Sequence, residues 1–286
     1  MDDTLGMNAW AVTVNVGGGP GGGRARTEAM TAWALQALHE RQPAVVFAQE
    51  VPSDGWLQVW EDAGYAVTLG HDRGWRIRSA LITAPGLRIE PLTPEDLPNL
   101  QYHGNYVAAA RCLDAQGGPV ILASVHASPQ PADPGKYGWQ GQLPSPRVGG
   151  DDRRYAASTL WDSDLLLASL RDLAAGGSAV VAAGDFNEAR AFDLDPAGER
   201  LGSWGDEYFR RVAEYQLKDW LMDRWHEERP TRAHLQLDRV ITNDAGERLL
   251  PGAPEPFVDP AWTVAGTFPA ELSDHAPVWF PLQLSS

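Results

Sequence analysis

Six sites along the chain put polar residues at the ends of apolar, strand-like runs, where side chains from separate elements can converge on one cleft. Asn15 ends the run TVNV, Gln49 and Glu50 end FAQE, and His126 follows VILASV. Asp185 and Asn187 follow VVAAG, Asp238 interrupts LQLDRV, and Asp274 and His275 precede APVWF. Singly, each has a plain reading, because Asn and Asp shape turns and cap helices. Together they share one chemistry. Two carboxylate-rich clusters offer hard oxygen ligands to Mg²⁺, or to Mn²⁺ in its place, and the neighbouring amides and imidazoles supply hydrogen bonds and proton transfer. That set suits hydrolysis of a phosphate ester.

The elements that must position these residues alternate strand with helix. A strand over 9–16 leads through the stretch GGGPGGG at 17–23 to a helix over 27–41 capped by Thr27, and a strand over 44–49 with a helix over 54–63 repeats the order. The glycine stretch lacks the Gly-Lys-Ser/Thr ending of a nucleotide phosphate loop and reads as a turn. Runs at 65–69, 79–84, 87–91, 106–112 and 120–125, separated by Gly, Pro and Asp, predict a largely antiparallel sheet. A helix over 152–175, with Leu166, Leu170 and Leu173 on one stripe, leads into a strand over 179–183. Strands over 235–242, 262–264 and 276–281 close the chain. Both halves mix strands and helices, an α/β (α+β) pattern, and residues 1–286 read as one domain. Trp33, Trp56, Trp60 and Trp161 fall on the expected helices and read as packing residues.

In order, TVNV, AQE, SVHAS, GDFN, LDR and SDH resemble the motifs of the endonuclease/exonuclease/phosphatase superfamily, from Asn15 to His275. GDFN with a later SDH is the most specific part of the resemblance. It implies a four-layer sandwich, two mixed β-sheets face to face and flanked by helices. Members include pancreatic-type deoxyribonucleases, apurinic endonucleases, inositol polyphosphate phosphatases and neutral sphingomyelinases, so the resemblance narrows the chemistry more than the substrate.

Residue by residue, the resemblance makes Glu50 the main metal carboxylate, with Asn15 and Asp274 contributing to the same Mg²⁺ site directly or through water. Asp185 resembles the residue that orients or deprotonates the attacking water, and Asn187 a donor to the phosphate or leaving group. His275 resembles the histidine on the phosphate oxygen, and Asp238 the carboxylate that orients it. His126 resembles a second phosphate-binding histidine. In pancreatic-type deoxyribonucleases that histidine is partnered by an upstream Glu. The comparable stretch here, GWRIRSALIT, has none, and Arg76 or Arg78 is expected to face a phosphate instead. Apurinic endonucleases carry a Tyr where this chain has SVHASPQ, so the chain looks closer to the deoxyribonuclease, sphingomyelinase and phosphatase branches.

The segment 131–150 holds nine Pro or Gly among its twenty residues and intersperses Lys136, Tyr137, Trp139 and Arg147. Its place directly after His126 puts it at the mouth of the cleft, where Tyr137 and Trp139 are expected to stack a base, a sugar or a lipid headgroup.

Composition narrows the partners. With 23 Lys plus Arg against 38 Asp plus Glu, the net charge is −15, and Lys136 and Lys218 are the only lysines. No basic face for gripping nucleic acid by phosphate neutralisation is evident, although bound divalent cations reverse the local sign of a carboxylate-lined cleft. The single cysteine, Cys112, excludes an internal disulfide framework and an all-Cys zinc site. No run approaches the roughly 18 apolar residues of a membrane span, and the opening MDDTLGMNAW lacks a secretory pattern, so a cytoplasmic location is expected. No protein partner is implied. The leading expectation is a Mg²⁺-dependent, nuclease-like phosphodiesterase acting on a phosphoester, with nucleic acid as the first candidate. A phosphatase for a small or lipid-derived monoester is second, and a non-catalytic binding protein retaining the fold is third.

Overall fold

The computed structural model describes residues 9–17, 24–52, 55–71, 77–148, 158–190, 205–233, 235–262 and 273–284. Arg76, residues 18–23 of the glycine stretch, 152–157 of the expected helix and 263–264 of an expected strand lie outside these, as does the side chain of Tyr137.

Among the described residues, fourteen strands form two six-stranded mixed sheets and one small pair. The first sheet contains β1 (Ala9–Asn15), β2 (Val45–Pro52), β3 (Ala66–Leu69), β4 (Ile77–Thr83), β13 (Phe257–Val258) and β14 (Val278–Leu282), in the order β13-β14-β1-β2-β4-β3. The second contains β5 (Glu90–Pro91), β6 (Val107–Leu113), β7 (Pro119–His126), β10 (Ala179–Asp185), β11 (Leu217–Asp219) and β12 (Asp238–Asn243), in the order β11-β12-β10-β7-β6-β5. Each sheet is built on one parallel pair, β1 with β2 and β7 with β10, flanked by antiparallel neighbours. β8 (Arg147–Val148) pairs with β9 (Ser158–Thr159).

Period-two alternation makes this a four-layer sandwich. Ala11, Val45, Phe47, Leu122, Val181, Ala183, Val240 and Phe280 pack between the sheets. The alternate residues Val12, Val14, Val46 and Ala48 pack under α1 (Arg24–Glu40) and α2 (Trp56–Asp62), against Met30, Trp33, Trp56 and Trp60. On the far side, Ile121, Val125, Val180 and Ala182 meet Leu166 and Leu170 of α5 (Asp162–Ala175) and Tyr208 of α6 (Gly205–Glu214). Short helices α3 (Leu100–His103) and α4 (Pro134–Tyr137) lie on the connections, and α7 (Trp220–Trp225) and α8 (Asp244–Glu247) flank β12. Cys112 is buried between the sheets. No helix among the described residues is long and apolar enough to cross a membrane.

Three expectations change. The middle strands do not form one antiparallel sheet: β3 and β4 join the first sheet, and β5, β6 and β7 join the second. Alternation marks which face of a strand is apolar and carries no information about which sheet the strand joins. The expected helix from 152 begins at Asp162, because Ser158–Thr159 is extended in pairing with β8 and the Asp164 carboxylate accepts from the Trp161 backbone N–H at 2.9 Å, capping the helix there. The strand expected at Trp262 lies earlier, at Phe257–Val258, and Trp262 itself closes a turn onto the Asp259 carbonyl at 3.1 Å.

Gly184, the glycine of GDFN, has φ 153, and a Cβ there would sit 1.9 Å from the Val125 carbonyl oxygen of the neighbouring strand. Gly184→Ala is expected to lower the unfolding free energy by about 2–3 kcal/mol through overpacking and backbone strain, read as a shifted urea midpoint.

Candidate active site

Strand register assembles the site. The parallel pairs put Asn15 beside Gln49 and His126 beside Asp185, and β12 runs antiparallel so that its first residue, Asp238, lies opposite Asp185. Asn15, His126, Asp185 and Asp238 share the alternation of the residues packed between the sheets, so their side chains meet at one end of the sandwich. The two sheets touch there: the Asn15 Nδ2 lies 3.4 Å from Asp185 Oδ2 and 3.3 Å from Glu50 Oε1.

Glu50 reaches this point only through a departure from regular strand geometry. Strict alternation would put residue 50 on the side of Val46 and Ala48, under the helices. The pairing of β2 with β4 shifts register between Ala48 and Val51, and Glu50 adopts φ 49. This β-bulge re-aims the carboxylate at the cleft. Gln49 then stays inside the sandwich, where its amide donates to Ser124 Oγ at 3.1 Å and to the Phe47 carbonyl at 2.9 Å, while Ser124 donates to the Ala48 carbonyl at 2.9 Å. These buried bonds tie the two sheets together beneath the site.

Asp185 is the hub. Its Oδ1 accepts from the Asn187 backbone N–H at 2.8 Å, and its Oδ2 lies 3.7 Å from His126 Nε2 and 3.6 Å from His275 Nε2. Burial raises its carboxyl above the ordinary range, opposed by the charges of His275 and His126. Asn187, at φ 51, donates from its side chain to the Ala127 carbonyl at 2.7 Å, which holds the turn after β10 against the end of β7. His275 Nδ1 lies 2.9 Å from Asp238 Oδ2, and because a carboxylate only accepts, that nitrogen carries a proton. Burial alone would push the ring down, but Asp238 and then Asp185 outweigh it and raise it to about 9. His126 also faces Glu50 Oε1 at 3.7 Å, and its ring stands edge-on to Tyr106 at 5.4 Å.

Asp274 does not join this hub. It is exposed and bonded to Arg232 at 2.9 Å; burial opposes its ionisation, yet the charges of His275 and Arg232 hold its carboxyl below the ordinary range. Arg78 is half-buried on β4, opposite Val51 and so one residue from Glu50 in the pairing. Trp139 packs edge-on against Tyr102 at 5.3 Å and His103 at 6.1 Å.

Oxygen donors suited to a hard divalent cation stand together at Glu50, Asp185 and the Asn15 side chain. Mg²⁺ needs only one or two carboxylates and fills its shell with water, and among the described residues no group of three or more His, Cys, Asp and Glu is placed to hold a metal by itself. The donor chemistry therefore fits Mg²⁺ or Mn²⁺ and not a closed nitrogen and sulfur site.

Residue types alone did not point to several nearby groups. Asp162, at the start of α5, accepts from the Ser128 N–H at 2.9 Å and from the Tyr102 hydroxyl at 3.3 Å; burial raises its carboxyl, and the His126 charge opposes that rise. Behind the GDFN turn, Arg147 is buried and binds Asp164 Oδ1 at 3.0 Å through Nε and Glu188 Oε1 at 2.6 Å through Nη2, while Arg239 donates to the Glu188 carbonyl at 2.9 Å. Two arginines thus clamp the residue that follows Asn187. The one signal for this was an acidic residue directly after GDFN. Arg147→Met would take the arginine from the buried Glu188 carboxylate, while Asp164 keeps Arg211 at 3.0 Å, and is expected to cost about 3 kcal/mol of stability, measured by urea unfolding.

The family model described as Endonuclease/Exonuclease/phosphatase family matches residues 12–275. No curated protein sequence gives a match. Solved structures of similar fold include the 3′ phosphatase NExo from Neisseria bound to product DNA hairpin, at 17% identity over 96% of this chain and 99% of that one, TM-score 0.57. An AP endonuclease from Archaeoglobus fulgidus aligns at 15% identity over 95% and 98% of the two chains, TM-score 0.58. The human Nocturnin catalytic domain with bound sulfate aligns at 14% identity over 97% and 94%, TM-score 0.56. At such identities the likeness is one of fold.

Proposed function

The chain belongs to the endonuclease/exonuclease/phosphatase family, whose members hydrolyse phosphoesters, and we propose that it is a divalent-metal-dependent phosphodiesterase of nuclease type. The observation that carries the reading is Asp185, a buried carboxylate held at one oxygen by the Asn187 N–H and facing two imidazoles and the Asn15 amide with the other.

Each residue then has a task. Desolvation makes Asp185 a stronger base than an exposed aspartate, which suits taking a proton from water attacking phosphorus in line. The Asn187 N–H fixes the carboxylate's rotation, so the proton-accepting oxygen is aimed at the cleft. Asp238 keeps His275 charged at neutral pH, and the imidazolium binds a non-bridging phosphoryl oxygen and stabilises its growing charge. His126, between Glu50 and Asp185, takes a second phosphate oxygen. Glu50 and Asn15, beside Asp185, would hold Mg²⁺ or Mn²⁺, which when bound would polarise the phosphoryl group and offset charge on the leaving oxygen.

Nuclease chemistry is supported by similar folds described as a 3′-5′ exonuclease, NExo from Neisseria meningitidis, and as an AP endonuclease from Archaeoglobus fulgidus. The test is turnover of bis-(p-nitrophenyl) phosphate beside p-nitrophenyl phosphate in Mg²⁺, with EDTA and Asp185→Ala as controls. Diester cleavage abolished by both controls is the expected result. Preference for the monoester would replace this reading with a phosphatase, and turnover surviving in Asp185→Ala would remove Asp185 from the chemistry.

A further inference from the structure

One aromatic ring away from His126 lies a pocket of about 340 Å³, lined in part by Tyr102, Asn105, Tyr106, Gln130, Lys136 and Asp162. Its wall is the Pro/Gly-rich segment, which is anchored to the body of the protein. Asn99 donates to the Gln140 carbonyl at 3.2 Å and accepts from its N–H at 2.8 Å, the Ala132 N–H bonds the Leu160 carbonyl at 2.8 Å, and Trp139 packs on Tyr102 and His103. The cavity is thus built by bonded structure.

Three properties limit the occupant. The volume is at the small end of ligand sites, roughly 300–1,000 Å³, so it takes one ring-bearing unit and not a length of polymer. The lining mixes phenol rings with amides, the Asp133 and Asp162 carboxylates and the Lys136 ammonium, which offers π-faces together with hydrogen-bond donors and acceptors and is a poor match for an acyl chain. The chain's net charge of −15 leaves little for tracking a phosphate backbone, so affinity for a nucleic-acid substrate has to come from a local contact.

Resting on the phosphodiesterase reading above, we propose that this pocket seats the nucleoside adjoining the scissile phosphate. The base enters between the tyrosines and the amides of Asn105 and Gln130, Asp162 accepts from a donor on the base or sugar, and Lys136 meets the next phosphate. A base stacked in a duplex cannot enter without unpairing, at a cost of a few kcal/mol. The substrate class is therefore a nucleotide at a strand end or in a single strand.

Calorimetry with adenosine and uridine 5′-monophosphates, inorganic phosphate and myo-inositol 1-phosphate tests this on the full chain. The nucleotides are expected to bind at least tenfold more tightly than inorganic phosphate. Ala132→Trp, which fills the pocket, and Gln130→Ala, at an exposed position, should each remove that advantage. Equal affinity for phosphate and nucleotide, tighter binding of the inositol ester, or an advantage that survives both variants would overturn the proposal. The two readings fail separately. Absent diester hydrolysis sinks the phosphodiesterase whatever the nucleotides do, and diester hydrolysis without a nucleotide advantage sinks the pocket alone.

Discussion

Asp185→Asn is expected to lower kcat for a diester by ~10³-fold while leaving the melting temperature unchanged or raised, since a positioned proton acceptor contributes factors of this order. Asparagine has nearly the same shape, and its carbonyl still accepts the Asn187 N–H that now reaches Asp185 Oδ1 at 2.8 Å. What is lost is the acceptor that faces both imidazoles. Because burial penalises the Asp185 charge, a neutral amide relieves a cost in the folded state. The same substitution takes a negative charge from beside His275, so its imidazole should titrate lower, which NMR would resolve. Wild-type kcat in the variant, with that titration lowered, would show that Asp185 shapes the electrostatics without touching the reacting atoms.

His275→Gln is expected to cost ~10²–10³-fold in kcat/KM, the range for removing one charge-stabilising donor. The same histidine also makes stability depend on pH. Its folded value of about 9 is raised above the ordinary 6.5, so the folded state holds the proton more tightly than the unfolded chain does. Its contribution is present in full below the unfolded value and is lost as pH rises through the folded one. Between these two values the wild type should lose on the order of 3 kcal/mol from this group. Asp238→Asn removes the largest stabiliser of the charged ring and should flatten that fall. Urea unfolding at several pH values reads the slope, and an equal slope in wild type and Asp238→Asn would separate Asp238 from the titration.

Much of the fold was legible because its signal is local. The short apolar runs at 9–16, 44–49, 120–125 and 179–183 marked the four strands of the two parallel pairs, and the polar residues ending each run were the ones that meet. Strands of two or three residues, such as Arg147–Val148 and Leu217–Asp219, are too short for a period to register. Trp262 is buried as a strand residue would be, although it closes a turn, because apolar character reports burial and not backbone shape.

The order of Asn15, Glu50, His126, Asp185, Asp238 and His275, and the chemistry of their side chains, were determined by the sequence alone, since residue type and strand period are properties of a few neighbouring positions. Tertiary structure decided the rest. It assigned the middle strands to different sheets, turned Glu50 into the cleft through a bulge, left Asp274 with Arg232, and brought Asp162 and Tyr106 to His126. Each of these depends on which distant segments pair and pack, and that choice is made by burial summed over the whole sandwich.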